Sequence, residues 1–365
     1  MSNSTLIIAE AGVNHNGSLD LAMELVEKAQ AAGADIVKFQ TFRAENVVAA
    51  SAPKAAYQKA STGGEESQLD MVRRLELDRT AHLRLREECE RLGIEFLSTP
   101  FDPESAELLV KELGIRRMKI PSGEVTNAPF VLALARYRLP MIVSTGMCTL
   151  ADVENCLALI AFALLEPKAN PTPAALVEAL VSREGQAAIE EHVTLLHCTT
   201  EYPSAYADTN LRAMDTMALA FGVPVGLSDH TPGIAIPIGA VARGASVVEK
   251  HFTTDRALPG PDHLASLDPF QLGAMVEGIR AVESAIGDGR KIIGEAERRN
   301  RAIARRSLVA LQPVAKGNIW SEENLGAKRP GTGISPFAYW SLLGKPASRD
   351  YMPDDVLDAQ ELSHA

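Results

Sequence analysis

The chain contains eight short apolar runs that end in polar or small residues and do not alternate with them. Such runs are typical of strands buried on both faces, which occur in parallel sheets. A solvent-facing strand would instead carry an apolar side chain at every second position. The runs are LIIAE (6–10), IVKFQ (36–40), EFLSTPF (95–101), RMKIPSGE (117–124), PMIVSTGM (140–147), VTLLHCTTEYP (193–203), VPVGLSDH (223–230) and SVVEKHF (246–252).

Helical patterns separate the runs. From Leu19 to Ala29, apolar residues recur at the i, i+3, i+4, i+7 spacing, with Ser18 as the predicted N-cap and Gly33 as the predicted stop. Eight alternations of strand and helix predict an α/β fold, a (β/α)8 TIM barrel. A doubly wound open sheet is the alternative, which eight regular units without a switch point disfavour. Comparable patterns cover residues 79–92, 103–113, 128–137, 150–165, 210–221, 233–243 and 268–286.

Two connections are long, and the pattern changes after the eighth unit. Residues 43–78 are polar and contain glycine, which predicts a loop that covers a substrate. Residues 150–192 read as a helix, a break at PKANPTP and one Ala-rich helix, predicted to lie outside the barrel or at an interface. The domain prediction is a barrel over 1–286, a charged linker over 287–306 and a small β-rich domain over 307–365.

Composition and charge narrow the class of protein. The chain has 365 residues and a formal charge of −11, without the basic face that a nucleic-acid binder needs. It has no apolar stretch long enough to span a membrane and no basic N-terminal leader, so we expect a cytoplasmic protein with no membrane partner. Its four cysteines lack CxxC spacing and are expected to be reduced thiols.

The ends of the predicted strands carry the candidate chemistry, because the carboxyl ends of barrel strands form the active-site rim. Lys38 and Lys119 converge there with several Ser and Thr hydroxyls. Ammonium groups and small hydroxyls suit the phosphate and carboxylate of phosphoenolpyruvate. The alternative is that each lysine forms a structural pair with a rim carboxylate. Glu10 and Glu124 supply such carboxylates, as a general acid/base or as ligands for sugar hydroxyls.

Two histidines end adjacent predicted strands. His230 and His251, with nearby oxygen ligands, suit a divalent metal such as Mn²⁺ with positions open for water and substrate. The alternative is a pair of hydrogen-bonded structural histidines. His15 is interpreted as a turn residue and His197 as partly buried, while Asp262 is either a sugar ligand or an ordinary loop aspartate.

Nine motifs in order resemble the bacterial sialic acid synthases of the N-acetylneuraminate synthase family of nonulosonate synthases. They are IIAEAGVNHNGSLDLA, GADIVKFQTF, FLSTPFD, KIPSGE, STGM, HCTTEYP, GLSDHTPG, EKHFTTDRALPGPDH and KRPGTGISP, and the C-terminal region resembles the antifreeze-like SAF domain. The resemblance implies condensation of phosphoenolpyruvate with N-acetylmannosamine, giving N-acetylneuraminate and phosphate by C–O cleavage. The alternative acceptor is a 2,4-diacetamido-2,4,6-trideoxy hexose leading to legionaminic or pseudaminic acid. Functions of a different class are a Schiff-base aldolase and a non-catalytic saccharide-binding protein.

The resemblance also implies roles for individual residues. Arg329 matches an arginine that reaches the partner's active site, which implies a domain-swapped homodimer. Thr200 stands where some members carry Asn, so its contact with phosphoenolpyruvate is an open question. The metal is expected to be Mn²⁺, with Mg²⁺ or Co²⁺ as alternatives. Among the remaining residues, Glu10 matches the general acid/base; Lys38, Thr99, Lys119, Ser122, Ser144 and Ser228 match phosphoenolpyruvate positions; Gln40, Glu124, Tyr202 and Asp262 match sugar positions; and His230 and His251 match the metal ligands.

Overall fold

The computed structural model describes residues 4–55, 58–59 and 66–363. The chain divides into two compact units, Met1–Gly287 and Asp288–Ala365. Parts of the predicted covering loop, at residues 56–57 and 60–65, and the last two residues of the predicted C-terminal domain lie outside the described residues.

The first unit is built on eight parallel strands. Their sheet order is β3-β2-β1-β8-β7-β6-β5-β4, and each neighbouring pair is parallel. The end strands β3 and β4 contact each other, and β8 pairs with β1, so the sheet closes. The predicted TIM barrel is confirmed, and the open sheet does not form. The strands are β1 Leu6–Gly12, β2 Ile36–Thr41, β3 Glu95–Pro100, β4 Met118–Ile120, β5 Met141–Ser144, β6 Val193–Cys198, β7 Val225–Asp229 and β8 Val247–His251.

Helices follow the strands, and local capping explains their starts. Ser18 Oγ accepts from the backbone N–H of Leu21, and Gly33 adopts φ +80° just after the helix, as the sequence predicts. The barrel helices are Leu19–Ala31, Arg79–Leu92, Pro103–Glu107 with a π-helical turn over Leu108–Glu112, Ala128–Ala135, Leu150–Leu165, Arg212–Phe221, Ala235–Ala242 and Pro269–Ile286. Short 3₁₀ turns occupy Ser122–Glu124, Tyr206–Asp208 and His263–Ala265.

The two long connections contain additional helices. The covering segment includes Ala44–Val47 and Gln68–Arg73. After the break, the Ala-rich stretch forms two helices, Pro173–Val181 and Arg183–His192, so the prediction of one helix is wrong. The reason is Ser182, whose extended backbone ends the first helix while its hydroxyl accepts from the N–H of Gly185 and starts the second.

Side-chain alternation divides the barrel interior into layers. An apolar layer contains Ile8, Ile36, Leu97, Ile142, Leu196 and Val247. Since successive strand residues face opposite sides, the residue two positions further on also faces inward. These next positions are Glu10, Lys38, Thr99, Ser144, Cys198 and Glu249, and all are buried. The apolar layer therefore forms the floor of a polar chamber at the carboxyl end of the barrel.

The second unit has its own small core. Strands β9 Ser307–Ala310 and β10 Leu325–Lys328 pair antiparallel. The predicted linker includes a helix, Glu295–Ala304, and short helical segments follow at Pro336–Ala338, Tyr339–Leu342 and Gln360–Ser363. Among the described residues of the whole chain, no helix combines the length and the apolar character that crossing a membrane requires.

Candidate active site

A cavity of about 460 Å³ opens at the carboxyl end of the barrel, and all eight strands or the loops that follow them contribute to its walls. Its size is that of a small-molecule site. Glu10, Lys38, Lys119, His230 and His251 all line it, so the groups expected to converge do lie in one chamber. The other predicted residues in its lining are Gln40, Thr99, Ser122, Ser144, Thr200, Tyr202, Ser228 and Asp262.

Two lysines and two carboxylates form a buried charge network on the chamber floor. Lys38 Nζ lies 2.5 Å from Glu10 Oε2 and 3.5 Å from Glu249 Oε2. Lys119 Nζ lies 3.5 Å from Glu249 Oε1. Both lysines therefore do pair with carboxylates, as the structural alternative requires, yet they do so within the cavity lining. The network is neutral when all four groups are ionised, so it can receive an anion only by rearranging these pairs.

Burial and neighbouring charges set the protonation of this network. Burial raises the pKa of Glu10 to about 7, against the opposing effect of Lys38. Burial acts in the same direction on Glu249, but Lys119 and Lys38 outweigh it and lower the pKa of that carboxyl to about 2. Burial also lowers the pKa of Lys119, whereas Glu10 and Glu249 together raise that of Lys38 above its usual value. The chamber thus holds one carboxyl that titrates near neutrality and one that stays ionised.

Hydroxyl groups surround the network. Lys38 Nζ donates to Thr99 Oγ1 at 3.0 Å, and Lys119 Nζ donates to Ser144 Oγ at 2.6 Å. Ser228 Oγ donates to Glu249 Oε1 at 2.8 Å. Lys38, Lys119 and Glu249 are therefore each fixed by a hydroxyl group as well as by an opposite charge. This combination can accept the oxygen atoms of a bound anion without leaving the lysines unpaired.

Gly146 lets a second group of polar side chains approach one another. Its N–H donates to Ser122 Oγ at 2.9 Å, and Ser122 Oγ lies 3.2 Å from Cys198 Sγ. A Cβ at this position would lie 2.2 Å from Thr200 Oγ1, so no larger residue fits. Thr200, Ser122 and Cys198 therefore surround the space beside Gly146 at the cavity wall.

Two histidines, His230 and His251, lie side by side in the cavity lining. Their ring centroids are 5.5 Å apart. His230 Nδ1 donates to the carbonyl of Thr199 at 2.6 Å, which leaves its Nε2 as a lone-pair donor. His251 Nδ1 is buried without a hydrogen-bond partner, 3.9 Å from Asp262 Oδ2. Burial lowers the pKa of both rings, so both are neutral, the form that binds metal.

Asp262 lines the cavity next to the two histidines. Burial raises the pKa of its carboxyl to about 6. In the part of the chain that the structure describes, no group of three or more His, Cys, Asp or Glu residues is placed so that it could hold a metal ion. The two imidazoles by themselves suit a divalent ion that keeps open coordination positions better than a structural zinc, which needs four protein ligands.

A buried ion pair lies behind the histidines, on the outer face of the sheet. Lys250 Nζ donates to Asp229 Oδ2 at 2.6 Å and also to the carbonyl of Thr231. Asp229 also accepts from the Thr231 hydroxyl at 3.0 Å. Because Asp229 precedes His230 and Lys250 precedes His251, this pair fixes β7 against β8 where the two imidazoles leave the strands.

Other predicted site residues lie elsewhere. Glu124 is outside the cavity lining, because the 3₁₀ turn after β4 carries it away, and it accepts from Asn127 Nδ2 at 2.6 Å. Arg329 belongs to the second unit, just after β10. His15 Nδ1 accepts from the N–H of Gly17, a turn role, and His197 is partly buried with Nε2 2.5 Å from the Thr209 carbonyl.

The residue without a predicted role that the structure places at the centre is Glu249. Alternation within β8 gave the signal, since a residue two positions before His251 must face the same side. The same rule puts Lys250 on the opposite face, where it pairs with Asp229. Cys198 is a further lining residue that received no role.

The covering segment supplies one wall of the cavity. Val47 and Val48 come from its first helix and the residue after it, and Met71, Val72 and Leu75 come from its second helix and the turn that follows. The half-buried Gln68 lines the cavity beside them. This wall is largely apolar, in contrast to the charged floor.

Comparisons with known proteins cover almost the whole chain. The NeuB family model matches residues 25–291, and the SAF domain model matches residues 305–363. An N,N'-diacetyllegionaminic acid synthase of Campylobacter jejuni is 46% identical over 353 residues, 97% of this chain and 98% of that protein. One of Legionella pneumophila is 44% identical over 347 residues, 95% and 91% of the two chains. The crystal structure of an N-acetylneuraminic acid synthetase from Leptospira borgpetersenii superimposes with a TM-score of 0.65 at 30% identity, covering 82% and 90% of the chains.

Proposed function

Because this chain belongs to the NeuB family, we propose that it is a phosphoenolpyruvate-dependent nonulosonate synthase that condenses phosphoenolpyruvate with an N-acetylated amino sugar and releases phosphate. The observation that carries the proposal is the chamber floor, where two lysines, two carboxylates and a ring of hydroxyls lie beside a pair of neutral histidines. Few substrates other than a small dianion need two buried ammonium groups with hydroxyl partners.

The proposed reaction forms one C–C bond and breaks one C–O bond. The methylene carbon C3 of phosphoenolpyruvate attacks the aldehyde carbon of the open-chain sugar, and the aldehyde oxygen gains a proton. Water adds to C2, which has become electron-poor, and phosphate leaves from that carbon with its bridging oxygen. The products are a 2-keto acid, lengthened by three carbons, and inorganic phosphate.

The residues of the chamber have separate roles in this proposal. Lys38 and Lys119 bind the phosphate and carboxylate oxygens, with Thr99 and Ser144 as hydrogen-bonding neighbours. Glu10, with a pKa of about 7, is partly protonated at neutral pH, and the protonated form can donate its proton to the aldehyde oxygen. Ser122, Thr200 and Ser228 supply further hydroxyls to the anion, and Gln40, Tyr202 and Asp262 contact the sugar.

His230 and His251 would hold a divalent metal such as Mn²⁺, or Mg²⁺ or Co²⁺ in its place. Bound there, the ion would supply Lewis-acid polarisation of the sugar aldehyde. The buried His251 Nδ1, which has no hydrogen-bond partner among the described residues, supports this assignment.

Two acceptors are compatible with the motifs, N-acetylmannosamine and a 2,4-diacetamido-2,4,6-trideoxy hexose. The two relatives described above, 46% and 44% identical to this chain, are both N,N'-diacetyllegionaminic acid synthases, and each aligns over nearly its full length. These relatives favour the diacetamido acceptor, which we propose as the better substrate. In the described cavity lining, Lys38 and Lys119 are the only Lys or Arg side chains, which disfavours a phosphorylated sugar.

The assembly part of the proposal rests on the resemblance alone. The chain acts as a domain-swapped homodimer in which Arg329 of the C-terminal domain completes the active site of the other copy. Glu124 is assigned to the sugar by the same resemblance, and its distance from the cavity lining makes this the weakest of the residue assignments.

Phosphate release on mixing phosphoenolpyruvate with each acceptor tests the proposal. We expect release with Mn²⁺ and its loss with a chelator, by about two to three and a half decades if the ion contributes ~3–5 kcal/mol. No release with any N-acetylated sugar would refute the synthase. Release that survives chelation and His230→Ala/His251→Ala substitution would refute the metal site, and borohydride trapping of a carbonyl substrate on Lys119 would instead establish the Schiff-base aldolase.

A further inference from the structure

The second helix of the covering segment presents a single face to the active-site cavity. Gln68, Met71, Val72 and Leu75 have the spacing i, i+3, i+4, i+7, and all four line the cavity. This face therefore consists of one amide and three apolar side chains. Val47 and Val48 extend it from the preceding helix, which contacts this one.

The charged residues of the same helix are turned away from the cavity. Arg73 pairs with Asp70 on its own helix at 2.9 Å and with Glu45 of the preceding helix at 3.0 Å. Arg74 pairs with Glu66 at 2.7 Å. Both arginine side chains are about half exposed or more. The arginines of this segment therefore form ion pairs on its outer face, and the face that lines the cavity is uncharged.

We propose that this uncharged face, Gln68, Met71, Val72 and Leu75, determines acceptor choice by contacting the acetamido and methyl substituents at the end of the sugar remote from the aldehyde. An acetamido group offers one N–H, one C=O and one methyl. The Gln68 amide has the complementary acceptor and donor, and makes no hydrogen bond within the described part of the chain. The three apolar side chains suit the acetamido methyl and the C6 methyl of a trideoxy sugar.

This inference rests on the proposed synthase function and makes it more specific. A hydroxymethyl or phosphorylated C6 would place polar oxygens against the apolar side chains of Met71 and Val72, which is unfavourable. A 4-hydroxyl would leave part of the Gln68 amide unpaired. The helix face therefore discriminates among sugars while the floor of the chamber, common to all of them, performs the reaction.

The test compares kcat/KM for two acceptors, 2,4-diacetamido-2,4,6-trideoxymannose and N-acetylmannosamine, in Gln68→Leu and Val72→Ser variants. With the diacetamido sugar we expect a loss of about tenfold for Gln68→Leu, ~1.4 kcal/mol, and about fivefold for Val72→Ser. With N-acetylmannosamine we expect less than a twofold change. Both positions are partly exposed, so both variants are expected to fold.

Arg73→Gln is the matched control on the outer face of the same helix. It breaks the Glu45 pair without changing the cavity lining, so it should leave the ratio of the two kcat/KM values unchanged. Equal losses with both acceptors in the Gln68 and Val72 variants, or an unchanged ratio, would overturn the inference. A wild-type preference for N-acetylmannosamine would overturn it too, whereas absence of phosphate release with every acceptor would refute the synthase function itself.

Discussion

Glu249 is the most informative residue to substitute, because it is the carboxylate that both buried lysines share. Glu249→Gln keeps the shape of the side chain and leaves an oxygen to accept from Ser228. Lys38 would retain Glu10 at 2.5 Å, but Lys119 would lose the carboxylate 3.5 Å away and keep Ser144 as its hydrogen-bond partner. Each 3.5 Å contact corresponds to about 5 kcal/mol of direct attraction at an effective dielectric constant near 20.

The net loss of stability is smaller than that attraction, because Lys119 can release its proton. Its pKa is already lowered by burial, and without Glu249 it falls further. Removing one partner of a buried pair typically costs about 3–5 kcal/mol, and we expect a loss in that range. Phosphoenolpyruvate should stabilise the variant more than the wild type, since a bound anion replaces the missing negative charge beside the lysines.

Urea unfolding followed by far-UV circular dichroism measures this effect on the barrel. Both tryptophans, Trp320 and Trp340, lie in the second unit, so their fluorescence does not report directly on the barrel. Glu95→Gln is the matched control, because Glu95 pairs with Arg117 at 2.7 Å in a partly exposed position, where we expect a loss of about 1 kcal/mol or less. If Glu249→Gln also costs less than about 1 kcal/mol, or gains nothing extra from phosphoenolpyruvate, the description of the floor as a balanced charge network is wrong.

Further predictions concern the acid and the assembly. Glu10 is protonated below its pKa of about 7 and loses its proton as the pH rises through that value, so kcat/KM should fall above pH 7. Glu10→Gln should lower turnover by about two to four decades and remove this falling limb, and a limb that persists would assign the titration to another group. Glu10→Gln and Arg329→Ala chains, each weakly active alone, should regain up to about a quarter of wild-type activity when mixed and allowed to exchange subunits. An absence of regain in demonstrated heterodimers would contradict the shared active site.

The strands and the rim could be predicted because burial on both faces leaves a direct mark on the sequence. Runs such as LIIAE and IVKFQ are apolar without alternation, which indicates buried strands of a parallel sheet, and the number and order of these strands predict the barrel. Glu10 and Lys38 were identifiable because a charged residue at the end of such a run has nowhere to lie except the rim. Their ion pair was not identifiable, because its 2.5 Å distance depends on the register of β1 against β2.

The features that the sequence did not predict depend on the direction in which a side chain or the chain points, and not on the type of residue. Glu249, Lys250 and His251 are consecutive polar residues; alternation puts the middle one on the opposite face from the other two, but only the paired strands show which face lines the chamber. Glu124 follows a strand, as the lining residues do, but the 3₁₀ turn at Ser122–Glu124 rotates it out of the cavity. The helix after Ser182 was missed because one serine can end one helix and start the next.

The buried Lys250–Asp229 pair affects the stability of molecules in which β8 is paired in the wrong register. A slip of β8 by one residue would turn Lys250 into the chamber and His251 out of it. Asp229 would then remain buried without the positive charge of Lys250. The same error that removes an imidazole from the chamber therefore also breaks the ion pair that links β7 to β8. Misaligned molecules would be unstable as well as inactive, so a folded but catalytically dead population should not accumulate.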